Sequence, residues 1–116
     1  MKYQITSDNI ALSPSMETLT KAKFERVEKR AKHLPEDACF SRIVINTVPQ
    51  NMFSVKINLD LNGKEYFSDQ TEYTLEAALI KVVDELLEMM EKDSIVQRRK
   101  AGKEEDVVGE VLAEEI

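Results

Sequence analysis

The chain has 116 residues, 42% of them hydrophobic and 33% charged, and a net charge of −6. That is enough for one domain around a single core, while no apolar run approaches the roughly 18 residues needed to cross a bilayer. One cysteine, Cys39, excludes an internal disulfide and fits a reducing, cytoplasmic setting.

The charge is unevenly spread. Residues 104–116 hold six acids and no base, which leaves residues 1–103 with sixteen acids against sixteen bases. A neutral body can still carry a basic face.

Lys2–Thr6 alternates as a short strand with Tyr3 and Ile5 on one side, and it lacks the apolar block of a signal peptide. Ser7, Asp8 and Asn9 begin a polar connection. Ser13 before Pro14 is a helix start: serine caps free amides, and proline at the first helical position has no amide to satisfy. Met16, Leu19, Phe24, Val27, Ala31 and Leu34 follow as an imperfect apolar stripe, and Pro35 is expected to end this helix.

Residues 40–48 are rich in β-branched side chains and form the second expected strand. Pro49-Gln50-Asn51 is a turn. Residues 53–61 then alternate strictly, with Phe53, Val55, Ile57, Leu59 and Leu61 on one face and Ser54, Lys56, Asn58 and Asp60 on the other. Asn62-Gly63 predicts a type I′ hairpin into a fourth strand from Lys64 to about Asp69. Thr74 caps a long last helix with Leu75, Leu79, Val82, Leu86 and Met89 or Met90 at helical spacing, fading after Ile95.

The order strand, helix, three strands, helix predicts an α+β two-layer sandwich, βαβββα. The last three strands form an antiparallel meander, the first pairs in parallel through the helical crossover, and both helices lie on one face of a four-stranded mixed sheet. The expected domain is 1–101, and 102–116 is an acidic tail without a sustained apolar stripe, disordered or loosely docked.

Catalytic chemistry finds no constellation. His33 is the only histidine and sits near a helix end, where it favours the C-terminal dipole. Cys39 has no partner for a zinc site and is expected as a buried thiol. There is no glycine-rich phosphate loop among three glycines, so no enzyme, metal or cofactor is expected. The first helix is more informative. Lys23, Arg26, Lys29 and Arg30 recur at three and four residues, with Lys21 and Lys32 adding to the field. Several long cations on one rigid element suit phosphate recognition, although Glu25 and Glu28 could instead make this an ordinary solvated face.

In this order the motifs resemble the short form of the ribosome hibernation factors, the family of protein Y and hibernation-promoting factor that is also labelled sigma-54 modulation proteins. The likeness covers residues 2 to about 93. It rests on Ile5-Thr6-Ser7, Leu12-Ser13-Pro14, the run Lys23, Arg26, Lys29, the Asn62-Gly63 hairpin, and Ala77-Ala78-Leu79 with Val82-Val83-Asp84 and Leu86. The resemblance implies a fold like that of double-stranded-RNA-binding domains and a site in the decoding channel of the small ribosomal subunit. It also implies inhibition of translation by exclusion of tRNA and mRNA, in stationary phase or stress.

On that resemblance Lys23, Arg26, Lys29 and Arg30 are the RNA-binding residues, and the cations that remain on the last helix, Lys81, Lys92, Arg98, Arg99 and Lys100, are expected to join them. The partner is ribosomal RNA, with no membrane or small-molecule substrate, and the free protein is expected to be a monomer. The last helix departs from the family pattern, which commonly has lysine and arginine where Glu85 and Glu88 stand, and Glu91 extends the acidic row. A protein-interaction module that uses this acidic helix and the tail to bind a basic partner is the alternative.

Overall fold

The computed structural model describes residues 1–106, with side chains to residue 93. Five residues, Lys2–Thr6, form β1. Ser13 caps the first helix as its spacing predicts: the Met16 amide donates to Ser13 Oγ at 3.2 Å, and Pro14 is the first helical residue. The helix is not continuous. It divides into α1, Pro14–Lys23, and α2, Glu25–Arg30, around Phe24 at φ −84°, ψ 0°.

The cause is local. The buried Thr20 hydroxyl donates back to the Met16 carbonyl at 2.8 Å, a bond that bends helices. The Phe24 amide is shared between the carbonyls of Thr20 and Lys21. The apolar stripe jumps five residues between Leu19 and Phe24, and the bend returns Phe24 to the core face, where it is fully buried and meets Tyr3 edge-on at 6.2 Å. The helix also ends earlier than Pro35 requires. After Arg30 the bonds tighten to three-residue spacing, as in Leu34 amide to Ala31 carbonyl, and a short 3₁₀ turn, Glu36–Ala38, leads into the sheet.

The sheet contains β2, Cys39–Val48, β3, Met52–Leu61, and β4, Lys64–Glu72, in the order β1-β2-β3-β4. β1 is parallel to β2, and the other two pairings are antiparallel. Asn62 and Gly63 take φ of 56° and 92°, as the two-residue hairpin demands, and the Gly63 amide is held by Asp60 Oδ1 at 2.8 Å. The other turn places Gln50 and Asn51 at positive φ after Pro49. Both ends of the meander are thereby set, and the register puts Ile43, Ile57 and Ser68 in one row on the helical side.

The last helix, α3, Leu75–Asp106, opens with the Ala77 amide on Thr74 Oγ1 at 3.1 Å. It continues past the boundary at residue 101 that composition suggested, and residues 107–116 of the acidic tail lie outside the described residues. The core joins Phe24, Val27 and Ala31 with Ile43, Ile45, Val55, Ile57 and Leu59 of the sheet and Leu79, Val82, Val83 and Leu86 of α3. Cys39 is buried in it, and that burial pushes its thiol pKa up.

Phe24 therefore does two jobs, closing the bend and filling the core. Phe24→Ala is expected to cost about 3–5 kcal/mol in urea unfolding, and Phe24→Leu less than about 2 kcal/mol. Equal costs for the two would mean that the bend, not the volume, needs the ring.

Candidate nucleic-acid interface

α3 has three chemically different sides. Its apolar stripe, Leu75, Ala78, Leu79, Val82, Val83, Leu86 and Met90, packs on the sheet. One flank faces the edge strand β4, whose inward residues are polar: Tyr66, Ser68, Gln70 and Glu72. The Ser68 hydroxyl donates to Glu85, Gln70 Nε2 donates to the same carboxylate at 3.1 Å, and Lys81 pairs with Glu72. Lower down, the Tyr66 hydroxyl donates to Asp93 at 2.9 Å, and Lys64 reaches that carboxylate at 3.2 Å. Burial, reinforced by the bond to Asp93 and its charge, raises the Tyr66 pKa to about 12.

The other flank faces α1 and α2. Lys23 meets Glu76 at 2.9 Å, Arg26 meets Asp84 at 3.0 Å and Arg30 meets Glu91 at 2.6 Å. The pairs ascend together along both helices, so the two run in the same direction with a ladder of opposite charges between them. Three of the four cations expected to meet phosphate on the first helix thus already hold carboxylates. The fourth, Lys29, is exposed and has no ion pair among the described residues; Lys32 matches it on the same flank. Lys21 lies 6.0 Å from the Tyr3 ring, and the Tyr3 hydroxyl donates to the half-buried Glu28. Burial, then that bond, raises the Tyr3 pKa.

On the last helix, Lys92 is exposed and Lys81 is turned toward β4, away from the first-helix cations. Arg98, Arg99 and Lys100 lie on the backbone of α3, but their side chains are outside the described residues. Residues 14–34 and 75–93 together carry eight cations and nine acids, so the helical layer is close to neutral and not broadly basic.

The acidic row also resolves differently from its spacing. Glu85 turns to β4, Glu88 points outward and Glu91 turns to Arg30, so they do not share a face. Sequence reasoning missed that Glu85 is a structural carboxylate. The signal was Ser68 and Gln70, polar residues at inward positions of a strand that needs a partner above it. Near the hairpin end a cavity of about 620 Å³ opens between Leu34, Leu61, Asn62 and Met90, with Arg30 and Lys64 at its rim.

Comparison with known proteins places this geometry in context. The family profile described as "Sigma 54 modulation protein / S30EA ribosomal protein" matches residues 3–94. The crystal structure of the Thermus thermophilus Protein Y N-terminal domain superposes with a TM-score of 0.65 at 18% identity, covering 74% of this chain and 91% of that one. A ribosomal subunit interface protein from Coxiella burnetii superposes at 0.66 and 17% identity, covering 82% of this chain and 99% of that one. No curated protein sequence matches.

The Ser68 and Gln70 bonds hold the Glu85 pKa below its ordinary 4.5. Its contribution to stability is therefore complete above that value and is lost as pH falls through the lower, folded-state pKa. Glu85→Gln is expected to remove about 1 kcal/mol near neutral pH and to flatten the acid limb below about pH 4.5. Urea midpoints across that range check it; an unchanged acid limb would mean Glu85 is not held by β4.

Proposed function

The chain belongs to the family of sigma 54 modulation proteins and S30EA ribosomal proteins, and from that membership we propose that it is a ribosome hibernation factor that binds the small subunit through ribosomal RNA. The observation that carries this most directly is the family match over residues 3–94, which takes in the sheet, α1, α2 and most of α3. The solved relatives, one a Protein Y domain and one a ribosomal subunit interface protein, share the fold and support the same direction.

The proposed mode of action is occupancy. A rigid sandwich sits in the decoding channel, excludes tRNA and mRNA, and holds an idle ribosome in the cytoplasm without covalent chemistry. Contact runs through the helical layer. Exposed Lys29, Lys32 and Lys92 offer immediate phosphate contacts, while Lys23, Arg26 and Arg30 are positioned by helices anchored in the core. Such contacts release counterions condensed on RNA, so affinity falls steeply with salt.

Sedimentation of the protein with small subunits tests this. Four or so phosphate contacts predict roughly a hundredfold loss of affinity between about 50 and about 200 mM salt. Lys29→Glu with Lys32→Glu is expected to weaken binding by roughly tenfold or more without unfolding the protein. Absence of co-migration even at low salt would overturn the proposal.

A further inference from the structure

The ladder between the α1–α2 pair and α3 occupies the cations that RNA contact would use. A carboxylate and a backbone phosphate offer an arginine fork the same paired acceptor oxygens. We propose that Glu76, Asp84 and Glu91 are internal stand-ins for RNA phosphates: they hold Lys23, Arg26 and Arg30 in the free protein and release them to RNA on docking. This rests on the reading of the chain as an RNA-binding factor and adds to it a means of selectivity.

Two features of the seam carry the idea. The pairs are reached by solvent, most freely at Arg26 and Asp84, 64% and 57% exposed, and least at the half-buried Lys23, and ion pairs in that setting are weak enough to exchange. They stand on helices whose opposite sides are fully buried at Val27, Leu79, Val82 and Val83, so the cations stay in position when their partners change. The carboxylates on the β4 flank serve the sheet, where Glu85 and Asp93 accept from Ser68, Gln70 and Tyr66.

Exchange leaves three carboxylates beside the incoming phosphates, and like charges repel. A lone RNA duplex offers few compensating contacts. A folded RNA surface, with phosphates converging from several strands and its own bound cations, offers many. Self-pairing therefore lowers affinity for RNA in general more than affinity for a dense, structured site, and keeps the protein from being scattered over other RNA.

The test is the variant Glu76→Gln, Asp84→Asn, Glu91→Gln, measured against isolated small subunits and against a plain RNA duplex. Binding to the duplex is expected to tighten roughly tenfold or more, and binding to subunits by a smaller factor. Adding Arg26→Gln and Arg30→Gln should remove most of the gain, leaving only the part that acts through Lys23. A thermal melt confirms that each variant is folded. Unchanged or weaker duplex binding overturns the proposal, as does a gain that persists in full without the arginines. If neither wild type nor variant binds subunits, ribosome association falls, and the duplex measurement still decides whether the seam holds phosphate-competent cations.

Discussion

A sheet with one dry face must be covered on that face, and among the described residues the α1–α2 pair and α3 are the elements that do it. Val55, Ile57 and Leu59 are fully buried at the centre of the sheet, and they draw the α1–α2 pair and α3 onto the same side. The helices have no freedom to separate. A helix rich in lysine and arginine is consequently packed alongside one rich in glutamate and aspartate, and the charge ladder is a consequence of the apolar face beneath it.

The energies are ordered accordingly. Each buried aliphatic or aromatic side chain contributes about 1.5–3 kcal/mol, whereas each exposed pair in the ladder contributes about 0–1 kcal/mol. The core determines where the helices lie, and the ion pairs respond to it. This is why the ladder can be functional: its members can be exchanged with little cost to the fold. The β4 flank of α3 is a different case. There, hydrogen bonds from Ser68, Gln70 and Tyr66 complete an edge strand whose inward face has almost no apolar side chain, so the carboxylates Glu85 and Asp93 belong to the architecture.

Much of this was readable in the amino-acid order. Alternation over residues 53–61, the Asn62-Gly63 turn, the Ser13-Pro14 start and the Thr74 cap are local signals, each tied to a steric or hydrogen-bonding requirement within a few residues, and all recur in the structure, the alternation in burial from Val55 onward, with Ser54 buried and Phe53 half-buried. The bend at Phe24 was present as a five-residue jump in the apolar stripe, but its cause, the Thr20 back-bond, depends on which way a side chain turns. The pairing of Arg26 with Asp84 spans 58 residues and could not be read from spacing along either helix. Periodicity places Glu85, Glu88 and Glu91 in series; only the neighbours on β4 and α2 show that they serve three different surroundings.

Family membership and the two-layer fold direct the functional account to the ribosome, and the near-neutral helical layer shapes how RNA would be met there. A strongly basic surface would bind RNA indiscriminately. A surface whose cations are held in reserve, as proposed here, would bind where phosphates are dense enough to claim them. The most direct measurement is a structure of the protein bound to the small subunit by electron cryomicroscopy. The helical layer is expected against ribosomal RNA, with Arg26 and Arg30 on phosphates and displaced from Asp84 and Glu91. An orientation with the open sheet face of Arg42, Lys56 and Phe67 against the RNA, and the α2–α3 pairs intact and turned away, would contradict it.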